Sequence, residues 1–110
     1  MEYFNVEYLS EAAEFIENLD KKSKEKLLYI IDYAKQTKDP EVFKKLTGTN
    51  IWEFKILYRR IKYRLFAFWD NKRNSYVVCT HGIIKKTGKT PQKEINKAEK
   101  IRTIYLNKKL

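Results

Sequence analysis

Apolar positions along the chain change their spacing near residue 48. Before it they recur at helical intervals: Ala12, Phe15, Ile16 and Leu19, then Leu27, Leu28, Ile31 and Ala34. The first set predicts a short helix with Ser10 as its cap and Glu11 in its first turn. The second predicts a helix capped by Asp20 or Ser23 that fades before Asp39-Pro40. The link "NLDKK" makes the two a helical hairpin. Ahead of them "EYFNVEY" (2–8) suits a short strand, and behind them "PEVFKKLTG" (40–48) suits a short turn of helix leading to Gly48.

After Gly48 the period becomes two. In "NIWEFKILY" (50–58) Trp52, Phe54, Ile56 and Tyr58 fall on one face, with Glu53 and Lys55 on the other. "IKYRLFAFWD" (61–70) is apolar on both faces in its middle, as a central strand is. "NKRN" (71–74) reads as a turn and "SYVVCTHGII" (75–84) as a third strand. The short links predict an antiparallel meander. Pro91 suits the first turn of a last helix, which Ile95, Ala98, Ile101, Arg102, Tyr105 and Leu106 continue to near residue 107. The order β-α-α-β-β-β-α is that of an α+β domain, and 110 residues make one domain, 1–110.

Composition narrows the class. An apolar content of 43% and sixteen aromatics favour a folded chain over a disordered one. The one cysteine, Cys79, supplies neither a disulfide framework nor a metal-ligand spacing, and a reducing cytoplasm is the expected compartment. The N-terminal residues carry acids where a secretory signal needs cations. No window approaches the roughly 18 apolar residues of a membrane span, so no membrane partner is expected.

The net charge of +10 is unevenly placed. Residues 1–54 hold eight Lys/Arg against eleven Asp/Glu, a net −3; residues 55–110 hold sixteen against three, a net +13. A basic surface on one half of a folded domain selects polyanionic partners, with nucleic acid first among them.

The basic half lacks a glycine-rich phosphate loop, carboxylate pairs at metal spacing and a serine or cysteine nucleophile in a recognisable context, so hydrolysis by a metal or a Ser/His/Asp triad is not expected. Its chemistry lies in cations carried on strands. Lys55 projects from the first meander strand, Lys62 and Arg64 share a face of the second, His81 closes the third, and Lys85 and Lys86 lie just beyond. If the strands pair in sequence, these side chains converge on one concave face suited to an RNA phosphate. Cleavage there needs no metal or other cofactor. The 2′-hydroxyl attacks the neighbouring phosphorus, given a proton acceptor, cations on the charge-rich transition state and a proton donor to the leaving 5′-oxygen. A lysine crowded by cations has a lowered pKa and can serve as base; His81 can serve as base or acid. Arg60, Lys62 and Lys89 are candidates for holding the RNA strand. The aromatics Trp52, Phe54, Phe66, Phe68 and Trp69 are expected in the core.

The segments "KLTGTNIWEFK", "KYRLFAF" and "VVCTHGIIKKTGKTPQKEINKAEKIR", in this order and spacing, resemble the RelE/ParE toxin superfamily, in particular its HigB-type, phage-derived toxin-like subgroup. The resemblance covers nearly the whole chain and is most specific from Leu46 to about Arg102. It implies a small bacterial toxin of a type II toxin–antitoxin pair with a microbial-RNase-like sheet. It also implies ribosome-dependent mRNA cleavage, with the ribosome, mRNA and a HigA-like helix-turn-helix antitoxin as partners. Position by position, Arg64 matches the strand arginine that contacts the scissile phosphate, Lys55 a basic site that is often arginine, and Lys85 and Lys86 the basic pair after the last strand. His81 falls in the "HG" common in the subgroup. Two departures stand out: the family's namesake has a lysine where Glu53 stands, and a catalytic tyrosine beyond the basic pair, where this chain reads "TGKTPQKEI". The same resemblance admits two other readings: a ParE-like non-enzymatic poison of DNA gyrase, and an inactive relative that only binds nucleic acid.

Overall fold

The computed structural model describes residues 1–86 and 88–108. The chain runs β1 (Asn5–Tyr8), α1 (Ser10–Glu17), α2 (Lys21–Thr37), β2 (Phe43–Lys45), β3 (Trp52–Tyr58), β4 (Ile61–Trp69), β5 (Tyr76–Lys85) and α3 (Gln92–Lys108). The strands form a five-stranded sheet in the order β1-β5-β4-β3-β2. All pairs are antiparallel except β1 with β5. β4 is central, as its two-sided apolar pattern requires. Among the described residues no helix is long and apolar enough to cross a membrane.

Two local expectations are corrected. The stretch 40–48 holds not a turn of helix but strand β2, whose Phe43 pairs with Phe54 and stacks on it with ring centroids 4.5 Å apart. Tertiary pairing outweighs the weak local preference of three residues. Ser10 does not cap α1: Leu9 occupies the cap position without a side-chain bond. Asp20 does cap α2, its Oδ2 accepting from the Ser23 N–H at 3.2 Å, a contact worth about 1 kcal/mol.

The sheet has two unlike faces. One is closed by α1 and α2, over a core of Phe4, Ile16, Leu27, Ile31, Phe43, Phe54, Ile56, Leu65, Val77 and Cys79. The other is covered over part of its length by α3, where Ala98 packs with Ile51, Phe66, Phe68 and Val78. The rest of that face is open.

Two backbone irregularities aim side chains. Phe66 lies opposite His81 but Ala67 opposite Cys79, so Thr80 is the extra residue of a bulge. The bulge lets Cys79 face the α1/α2 core while His81 turns to the α3 side. Past the bulge Gly82 passes under the Phe15 ring, where an added Cβ would lie 2.3 Å from a ring carbon. The β3–β4 link is a two-residue turn, Arg59-Arg60, with both residues at positive φ (53° and 68°) between the paired Tyr58 and Ile61. This is the φ signature of a type I′ turn, which ordinarily selects Asn-Gly. The left-handed conformation costs a non-glycine residue about 1–2 kcal/mol.

Candidate functional site

The open part of the α3-side face is a groove built by alternation. On β3 the residues pointing this way are Glu53 and Lys55; on β4, Lys62 and Arg64; on β5, Lys85. Lys44, Leu46 and Thr47 close one side, and Gly88, Lys89, Thr90, Gln92 and Ile95 the other, around a volume of about 420 Å³.

The register makes this groove costly for the fold. Lys55 lies directly opposite Arg64, and Lys62 directly opposite Lys85. Like charges facing each other across a ladder destabilise a sheet. Arg64 adds a second cost. It is 7% exposed, its Nη1 donates to the Tyr63 carbonyl at 3.2 Å, and its Nε has no hydrogen-bond acceptor. The nearest carboxylate oxygen, Oε1 of buried Glu53, lies 3.7 Å from that Nε, close enough for ion pairing and too far for a hydrogen bond. Glu53 is steadied from the other side by the Thr90 hydroxyl, which donates to Oε2 at 3.3 Å. The floor of the groove is therefore a buried guanidinium with unspent donor capacity, and Glu53 offsets only part of the surrounding charge.

Lys85 feels this field. Its pKa lies below the usual lysine value, first because of desolvation and then because of the Arg64, Lys62 and Lys55 charges, with Glu53 acting in the opposite sense. Among the described residues no cluster of His, Cys, Asp and Glu is placed to hold a metal ion.

Of the residues singled out from sequence, the structure brings Lys55, Lys62, Arg64, Lys85 and Lys89 together. Three lie elsewhere. Lys86 is exposed over a neighbouring hollow lined by Phe15, Ile83, Ile84, Pro91 and Glu94. Arg60 sits at the tip of the β3–β4 turn. His81 is buried against α3, stacked on Phe66 with centroids 4.9 Å apart. Its Nε2 lies 3.0 Å from Glu94 Oε1, and its Nδ1 2.9 Å from Thr80 Oγ1. Desolvation lowers its pKa below the ordinary 6.5, against the opposing pull of Glu94. The Glu94 carboxylate accepts, which places a proton on Nε2 donating to it. The Nε2 contact with Glu94 thus ties α3 to the sheet, while Nδ1 meets Thr80 of its own strand.

Sequence reading missed Lys44, Glu53 and Thr90 as parts of the groove. Lys44 lay in the stretch read as helix, and Thr90 arrives from a loop. Glu53 shares the alternate face with Lys55, which was the available signal. Tyr105 does not reach the groove; its hydroxyl donates to Asp70 Oδ2 at 2.9 Å, far along the sheet.

Comparison with known proteins places the family and the fold. A family profile described as phage-derived protein Gp49-like (DUF891) matches residues 14–103. No curated protein matches by sequence. Among solved structures, the E. coli toxin RelE in the free state, as an arginine-to-alanine double mutant, superposes with a TM-score of 0.62 at 20% identity, covering 93% of this chain and 98% of that one. The isolated E. coli RelE toxin gives 0.55 at 18% identity, with 93% and 98% covered. A chain of the intact E. coli RelBE toxin–antitoxin complex gives 0.55 at 20% identity, covering 79% of this chain and 99% of that one. The shared feature is the α+β fold with its helix-backed sheet.

Proposed function

The chain belongs to the phage-derived Gp49-like family and has the fold of RelE, and from that premise we propose that it is the toxin of a type II toxin–antitoxin pair. Its activity on this reading is endonucleolytic cleavage of mRNA on the ribosome. The observation that carries the reading is the buried Arg64 guanidinium, whose Nε lacks an acceptor on the floor of a groove that also holds Lys55, Lys62, Lys85 and Lys89. A phosphodiester is the anion that satisfies such a floor, and the E. coli RelBE complex supports an antitoxin as the protein partner. A HigA-like helix-turn-helix protein is the form of antitoxin the sequence pattern favours.

The reaction is transesterification. The ribose 2′-oxygen attacks the adjacent phosphorus, the bond from phosphorus to the 5′-oxygen breaks, and a 2′,3′-cyclic phosphate and a 5′-hydroxyl result. Arg64 donates to the non-bridging oxygens, where charge accumulates in the transition state; one such donor is typically worth about 2–4 kcal/mol. Lys85, with its pKa lowered, accepts the 2′-hydroxyl proton. A protonated lysine across the groove, Lys55 or Lys62, delivers a proton to the leaving oxygen. His81 acts at one remove: through Glu94 it fixes the first turn of α3, and with it the Gln92 and Ile95 edge of the groove. Lys86 contributes charge from outside the groove.

The test is primer extension on a defined mRNA in a purified translation system, with and without ribosomes. Cuts at codon-phased positions only when ribosomes are present are the expected result. Cuts on naked RNA would keep the nuclease and remove the ribosome from it. Intact mRNA in both arms would overturn the reading and move the weight to a gyrase poison, to be followed by a supercoiling assay.

A further inference from the structure

The groove leaves the β3–β4 hairpin tip unexplained. Two consecutive arginines occupy the turn, both at positive φ, where a turn selected for folding alone would carry Asn-Gly. Both are exposed. Leu57 and Ile61, flanking the turn, are 63% and 40% exposed. The Arg59 guanidinium lies over the Tyr58 ring, 5.1 Å from its centroid. Strain, paired guanidinium groups and uncovered aliphatic side chains thus coincide on one protrusion.

That protrusion also has a position. Leu57 pairs with Lys62, and Tyr58 with Ile61, so the tip continues the strands that carry the groove's cations outward from its mouth. An RNA strand lying on Arg64 and Lys62 would extend toward it. Guanidinium groups match phosphate geometry with two donors each, and exposed Leu57, on the groove face opposite Lys62, suits the face of a ribose or base.

We propose that the Arg59-Arg60 tip is a second RNA-docking element, separate from the cleavage groove, that grips the backbone of folded RNA surrounding the strand to be cut. The assignment takes from the preceding section only that the polyanion is RNA; it does not require cleavage.

The turn supplies its own control. Arg59→Asn with Arg60→Gly installs the residues a type I′ turn prefers, so the double variant should melt at the same temperature as the wild type or higher. Its affinity for an RNA stem-loop, measured by fluorescence anisotropy, should fall roughly tenfold, with a log–log salt slope smaller by about two, one for each lost phosphate contact. Affinity for a short unstructured oligonucleotide should fall less. Arg64→Ala removes a groove contact, so it should weaken binding of both RNAs alike and abolish cleavage, and its effect on stem-loop affinity should add to that of the double variant, since the two sites share no partner. Unchanged stem-loop affinity in the double variant overturns the proposal. So does a lowered melting temperature, which would make the arginines part of the fold. So does an equal loss on both RNAs, or weakened binding confined to an acidic protein partner. A wild type that binds the stem-loop through the tip and never cuts mRNA would sink the nuclease reading and leave this one standing.

Discussion

Two arginines sit near the two ends of the β4–β5 hairpin and are treated in opposite ways. Arg73, in the turn, donates from Nε to Asp70 at 3.0 Å and from Nη2 to the Tyr105 hydroxyl at 2.8 Å. It also bonds Glu7, and its guanidinium lies over the Tyr76 ring, 4.2 Å from the centroid. Asp70 in turn accepts the Lys72 and Arg73 N–H groups. Arg64 is more deeply buried, yet its Nε has no acceptor and cations surround it. A satisfied arginine ties elements together, here β1, the β4–β5 turn and α3. Arg64 has one backbone acceptor, the Tyr63 carbonyl, and an ion pair with Glu53 that falls short of a hydrogen bond, so its guanidinium keeps donor capacity that an incoming anion can use. The contrast separates a charge whose donors the fold has used from one whose donors it has left in part unused.

The sharpest break in that contrast is Arg64→Ala. It should reduce mRNA cleavage about 10²–10³-fold, as loss of one transition-state donor does, while the protein stays folded by circular dichroism. Retained growth arrest at ordinary expression would remove Arg64 from the site. Asp70→Ala is the converse. It strips acceptors from Arg73, Tyr105 and two backbone N–H groups, and should cost about 3 kcal/mol in urea unfolding. Activity per folded molecule should be preserved; a selective loss of cleavage would erase the distinction between the two ends. Gly82→Ala, forcing Phe15 aside, should cost about 1–3 kcal/mol, read as a lower thermal midpoint.

Acid titration of stability should resolve two weaker steps. His81 has a folded pKa below its ordinary 6.5, so its contribution is complete above that value. It erodes as the pH falls below it, because the unfolded chain takes up the proton first. Glu94 and Glu11 oppose this loss and Lys97 adds to it. Asp70 titrates at about 2: desolvation raises its pKa, but hydrogen bonds from the Lys72 N–H, Arg73 and Tyr105 outweigh it. Its contribution holds above the ordinary 3.8 and is lost as the pH falls toward 2. A His81→Gln variant that kept the upper step would refute the assignment. The smallest effect belongs to Lys86→Ala. Its side chain lies outside the groove, and cleavage should change by about twofold or less, the range of a surface substitution.

The sequence made the meander and the groove legible for one reason. A period-two pattern states which residues share a face, and short links state which strands are neighbours. Lys55, Lys62 and Arg64 follow from those two facts; Lys85 reads from the sequence as just beyond the strand that in fact includes it. Strand β2 did not, because "FKK" has no period to read and forms only against Phe54 and Trp52. The place of β1 beside β5 was also hidden, since a parallel pair between distant segments leaves no local mark. His81 shows a third limit. Strict alternation groups it with Val77 and Cys79, and the bulge at Thr80 turns it to the other face, under α3. Whether a histidine is a proton shuttle or a latch depends on what covers it, and that is decided by a helix that follows it in the chain.

The parallel pairing of β1 with β5 sets an order of events during synthesis. Asn5 meets Tyr76 and Tyr8 meets Cys79, so the first strand made is among the last to be placed. The β3–β4–β5 meander closes through short loops and can form early, whereas β1 must wait for a distant partner at the entropic cost of a long loop. Until then Val77 and Cys79 lack their edge neighbour, and the Phe43, Phe54 and Trp69 rings lack Phe4. Lys85 and the strand that places β4 in the middle of the sheet are made only after β3 and β4 themselves. A nascent chain of this fold is therefore without its groove until β5 has left the ribosome that makes it.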